Sequence, residues 1–155
     1  AVNVSDGSYT DFAIAVSPEM VEGLTLGFAA GEVPVAGNDK SKDNSTMYAK
    51  YAVGGFTVGY QVSESDHDTA SSSLDSSAYG ITYAVNDDFS IGYSSHTVEF
   101  DNAASDNTDQ DSTGISFSYT MGGMTLGGAM NEVDSMDGVA TGDYEGYEFN
   151  LKFAF

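Results

Sequence analysis

Ser94 and His96 sit close together in GYSSHTVEF, and a serine beside a histidine is the start of a nucleophile and its base. Nucleophilic catalysis also needs hydrogen-bond reach between the two, an orienting third group and an oxyanion site. On a strand, residues i and i+2 share a face but lie about 7 Å apart, and the sequence offers no third partner. No enzyme is expected. The remaining chemistry-bearing residues are mostly acids. Asp106, Asp109 and Asp111 in DNTDQD, and Asp66, His67 and Asp68 in SDHD, carry the oxygen ligands that Ca²⁺ takes from flexible loops. DNTDQD lacks the glycine and the distal bidentate glutamate of an EF-hand loop. The expectation there is a solvated loop with, at most, weak divalent binding at Asp106, Asp109 and Asp111.

The charge balance restricts partners further. Aspartate and glutamate number 24 against four lysines and no arginine, for a net charge of −20 and a pI near 4.1. Lys40, Lys42, Lys50 and Lys152 cannot build a phosphate-neutralising patch, so nucleic acid is excluded as a partner and cations are favoured. There is no cysteine, hence no disulfide framework and no thiol site.

Four stretches place these residues on a repeated element: EGLTLGF from Glu22, GGFTVGY from Gly54, DDFSIGY from Asp87 and GGMTLGG from Gly122. Each is a tight turn followed by a large residue, Thr or Ser, a large residue and Gly, recurring at intervals of about 33 residues. Upstream of each turn lies another alternating run: DFAIAV, MYAKYAV, AYGITYAV and GISFSYTM. The unit is therefore a β-hairpin, with Gly-Gly or Asn-Asp at the bend. Four hairpins and the terminal YEFNLKFAF make nine strands, and Val2-Asn3-Val4 is too short to count as a tenth. Between hairpins, GEVPVAGNDKSKDNS, SESDHDTASSSLDSS, EFDNAASDNTDQDST and NEVDSMDGVATGD read as long solvated loops. Residues 1–155 contain no internal domain boundary.

The two faces of these strands differ. One carries Phe12, Ile14, Leu26, Phe28, Val58, Tyr60, Ile81, Tyr83, Ile91 and Phe117; the other is glycine, serine, threonine and alanine with few charges. A soluble sandwich studs its second face with Lys, Glu and Arg. A small polar face instead suits the lining of a water-filled interior, and an apolar band seven to nine residues tall suits lipid. At about 3.3 Å per residue and a tilt near 40°, nine residues rise about 23 Å. The fold expected is an all-β, transmembrane, antiparallel up-and-down barrel, ahead of a soluble sandwich. Lipid tolerates no open strand edge, and nine strands place the two ends of the chain on opposite sides. The expectation is that the chain forms the C-terminal part of a larger barrel.

AYGITYAVNDDFSIGY, MYAKYAVGGFTVGYQV and the ending GYEFNLKFAF resemble the C-terminal half of a Gram-negative general diffusion porin of the alphaproteobacterial kind. The resemblance extends over nearly the whole chain. It implies an outer-membrane barrel of 16 strands, a homotrimer, contact with lipid and lipopolysaccharide, and passive diffusion of small hydrophilic solutes. It further implies that Tyr147, Phe149, Leu151, Phe153 and Phe155 form the signal read by the outer-membrane assembly machinery. Lys50, Gln61, Glu148, Asn150 and Lys152 are then the lumen-lining candidates, with Lys152 and Glu148 as neighbours that could satisfy each other across the wall. The net −20 points to a cation-preferring channel. The alternative on the same strands is a non-conducting barrel whose long acidic loops act as adhesin or phage receptor.

Overall fold

A computed structural model describes residues 10–34, 41–67, 73–101 and 108–154. Within them the chain is one antiparallel sheet of nine strands in sequence order: β1 Thr10–Val16, β2 Leu24–Pro34, β3 Ser41–Val53, β4 Phe56–His67, β5 Ser73–Ala84, β6 Phe89–Asp101, β7 Gln110–Met121, β8 Met124–Asp134 and β9 Tyr144–Phe153. A single 3₁₀ turn, Met136–Gly138, interrupts the β8–β9 connection. Val2-Asn3-Val4 and Phe155 lie outside the described residues.

The repeat seen in the sequence has a backbone counterpart. The residue before each returning strand, Gly23, Gly55, Asp88 and Gly123, accepts a backbone hydrogen bond from the next hairpin at Ala52, Ala84, Thr120 and Ala154. The ladder thereby continues through the bends. At the one bend without glycines, Asn86 Oδ1 accepts from the N–H groups of both Asp88 and Phe89 at 2.9 Å, a side chain standing in for the backbone turn. Gly54 has φ +56 and open space around it, so a side chain there meets conformational strain and no clash. Gly54→Val is expected to lower stability by about 1–2 kcal/mol, and Gly54→Asn by much less, in urea unfolding from vesicles.

The segments read as solvated loops are in large part strand. β3 begins at Ser41, β4 runs to His67, β5 begins at Ser73 and β6 runs to Asp101. The ends of β3 and β4 are polar on both faces. At the ends of β5 and β6 the alternation is inverted, with Leu74, Val98 and Phe100 on the small face and Asp75, Glu99 and Asp101 on the other. Either way the apolar face of the belt is not continued, yet ladder hydrogen bonds do not depend on side-chain type. The wall therefore continues past the apolar band on the long-loop side. On β4 the last large apolar residue is Val62, five residues before the strand ends.

Register fixes how the strands lie relative to that band. Phe56, first in β4, shares a cross-strand row with Tyr83, Ile91 and Phe117, while β7 continues four residues further, to Met121, before its own turn. The turn line thus shifts about one residue per strand. With about 3.3 Å per residue against about 4.8 Å between strands, that stagger corresponds to a tilt of roughly 35°, the range in which sheets close into barrels. The same obliquity appears along one row, which passes from Ile14, Phe28, Met47 and Val62 through Ser77 and Thr97 to Asp111 and Asp134.

Candidate functional site

Among the described residues no hydrophobic side chain is buried. A soluble sandwich of this size would have a core between two layers, and this single sheet has none. Instead the apolar face is exposed along its length: Phe12 at 57%, Phe149 at 73% and Tyr147 at 72% of full accessibility. Its rings touch across strands in the pairs Phe12–Phe28, Phe56–Tyr83, Tyr79–Tyr93 and Phe89–Tyr119. These pairs link β1 to β2 and β4 through β7 along the belt without filling a core.

The opposite, small face is built row by row. One row runs Thr25, Lys50, Gly59, Gly80, Ser94, Gly114, Asn131, Gly146, and the next Gly27, Tyr48, Gln61, Ala78, His96, Ser112. All five lumen-lining candidates fall on this face, in two groups. Lys50 and Gln61 are diagonal neighbours on β3 and β4, close enough for long side chains to share a space. Glu148, Asn150 and Lys152 lie on β9, six strands away, opposite Ala129, Gly127 and Thr125. The neighbour contact that Lys152 and Glu148 could make is not formed along the strand: four residues apart on β9, they are separated by about 13 Å.

Lys50 and Gln61 border a shallow cavity of about 480 Å³ with Tyr48, Gly59, Gly80 and Ser94. Gln61 Nε2 donates to Ser63 Oγ at 3.2 Å, and Thr46 Oγ1 donates to the same oxygen at 2.9 Å. Ser65 Oγ donates to Asn44 Oδ1 at 3.0 Å one row further on. The amide and hydroxyls of this wall are therefore partly tied to one another. Tyr48 was not among the sequence candidates. Its ring lies over Gly27, where any side chain would collide with it. The signal was available in MYAKYAV, where Tyr48 and Tyr51 have opposite parity.

Ser94 and His96 do share this face, but their rows offer only Gly80, Gly114, Ala78 and Ser112 as immediate partners. Among the described residues no carboxylate stands on the rows beside the imidazole, so these residues do not assemble the parts of a nucleophilic site. At the proposed divalent site, Asp111 accepts from Thr97 Oγ1 at 2.6 Å, Asp109 is exposed, and Asp106 lies outside the described residues. Asp68 also lies outside them. Among the described residues no three His, Cys, Asp or Glu side chains are grouped to hold a metal ion.

The carboxylates follow the alternation. Asp11 and Glu148 are on the small face with Lys42, Lys50 and Lys152; every other strand-borne carboxylate is on the apolar face, beyond the belt. Glu64, Asp75 and Glu99 form one row there, and Glu32, Asp43 and Asp66 another. Glu64 stands past Val62, outside the lipid-facing stretch, and its neighbours Asp66 and Asp75 push its carboxyl above the ordinary range by like-charge repulsion.

An exposed apolar belt backed by a small polar wall is the two-sided pattern of a strand-built membrane protein. Residues 2–155 match the family model of the Gram-negative porin. The chain belongs to that family. No curated protein matches it. Membership places the chain in the outer membrane as a β-barrel, and in such barrels an apolar band faces lipid. The family is one of channels, often trimeric. None of the described helices is long and apolar enough to cross a membrane, in keeping with a chain that crosses with strands.

Proposed function

We propose that the chain lines a water-filled channel through which small hydrophilic solutes and ions diffuse passively. In this reading it supplies the last nine strands of a 16-stranded barrel in a homotrimer. The observation that carries it is the belt portion of the small face of β5 to β8, where 78–84, 90–94, 114–120 and 125–129 present only Gly, Ala, Ser and Thr. The larger Leu74, His96, Val98, Phe100, Gln110, Asn131 and Val133 stand toward the long-loop end. Small side chains leave the interior open to water, where a plugged barrel of this size would fill it. Cation preference in this reading is carried by the acidic segments between the hairpins, which concentrate counter-ions at the mouth of the barrel, and not by the carboxylates on the outer face of the strands. The carboxylates past the belt face lipopolysaccharide, whose anionic groups a divalent cation would bridge to them.

Planar-bilayer conductance of natively extracted protein in a KCl gradient tests the channel. Steps arriving in threes with a potassium-selective reversal potential are expected. Silence from folded, heat-modifiable protein would transfer the function to the loops, as an adhesin or phage receptor.

A further inference from the structure

The charge of this protein is sorted by face, and the sorting runs against its total. On the lumen face of the described strands three lysines stand against two carboxylates, while the outer face carries a rim of carboxylates and no lysine. Of the three lysines, Lys42 lies beyond the belt near the long-loop end and Lys152 lies near the turn end. Lys50 alone stands midway along the belt segment of its strand, Met47 to Val53.

We infer that Lys50 is a specificity-determining residue of the channel and draws small anions to the wall, against the sign of the protein's net charge. The inference rests on the channel reading above. Lys50 is exposed and borders the 480 Å³ cavity. No carboxylate lies on its row, and none on either neighbouring row until Glu148, six strands away. Among the described strands its positive charge therefore has no nearby carboxylate to neutralise it. The floor beside it is open: a Cβ on Gly59 or Gly80 would meet only ordinary contacts at 3.8 and 3.6 Å, and neither glycine has a positive φ. The sheet itself does not require glycine at these positions. Their effect is to leave space at the ammonium for a hydrated anion such as chloride, phosphate or a small carboxylate. Gln61, Tyr48 and Ser94 at the rim add polar atoms that such a solute can use.

The outer carboxylates do not cancel this field. They point to the other side of the sheet, and at about 0.15 M salt the screening length is about 8 Å. An ion passing about 6 Å from Lys50 still feels it, which corresponds to roughly a threefold change in the potassium-to-chloride permeability ratio.

Two substitutions that each alter the net charge by one unit make the test. Lys50→Gln is expected to raise the potassium-to-chloride permeability ratio about threefold at about 0.15 M KCl, and Lys50→Arg to leave it in place. Glu99→Gln, on the outer face, is expected to leave the ratio unchanged. Equal and opposite shifts from Lys50→Gln and Glu99→Gln would mean that selectivity follows total charge, and would overturn the inference, as would an unchanged ratio in a conducting Lys50→Gln channel. A silent bilayer from folded wild-type trimer would remove the channel reading itself, an outcome distinct from an unaltered ratio.

Discussion

Ile81→Arg is expected to abolish stable assembly in the membrane, while Thr82→Arg, one residue along the same strand, is expected to assemble and only narrow the lumen. Ile81 sits mid-belt on β5, paired with Val58 and Tyr93 on the lipid face; Thr82 pairs with Thr57 and Gly92 on the wall. An arginine facing lipid near the bilayer midplane costs about 2–4 kcal/mol in barrels of this kind, a factor of about 30 to 1,000 in the folded fraction. On the lumen face the same guanidinium stays in water and loses little hydration. The readout is the heat-modifiable band and the urea midpoint of each variant in lipid vesicles. Equal loss from both substitutions would contradict the two-faced sheet, because it would mean that both sides pack against something dry.

The contrast between Ile81 and Thr82 was legible in the sequence, because strand alternation is strict and no bulge breaks the register anywhere from β1 to β9. The hairpins were legible for a related reason: a bend needs Gly54-Gly55, Gly122-Gly123 or the capping Asn86, and those residues recur at the repeat. The strand ends at Ser41, His67, Ser73 and Asp101 were hidden. Beyond the belt the face that carried large apolar residues turns acidic, so the pairing of Asp43 with Asp66, or Glu64 with Asp75, looks like loop composition.

The candidate site was legible residue by residue and obscure as an arrangement. Parity alone puts Lys50, Gln61, Glu148, Asn150 and Lys152 on one face. Strand spacing alone keeps Glu148 and Lys152 apart, four residues along one strand, and only register reveals that Lys50 and Gln61 meet at one cavity. Net charge was the weaker guide to the wall. A total of −20 averages over two faces that the sheet keeps apart, and an ion in the lumen responds to the nearer one.

Phe153→Asp is expected to cut assembly in cells about 30-fold while leaving refolding of purified protein into vesicles much closer to wild type. The proposal behind it is that Tyr147, Phe149, Leu151, Phe153 and Phe155 serve as a recognition strand for the assembly machinery as well as a lipid-facing one. Tyr147, Phe149, Leu151 and Phe153 all lie on the apolar face of β9 and are more than half exposed; Phe155 lies outside the described residues. The outer edge of β9 has no partner within the described sheet, whose order ends at β9, so its backbone is available for strand addition before the barrel closes. An aromatic anchor in such an interface is worth about 2 kcal/mol, the origin of the 30-fold figure. Phe153 pairs with Met124 beside the Gly122-Gly123 turn, at the membrane boundary, where a carboxylate can reach water and costs far less than at Ile81. The two roles therefore separate by assay. Comparable losses in cells and in vesicles would assign Phe153 to the lipid belt alone, whereas loss confined to cells would assign it to recognition.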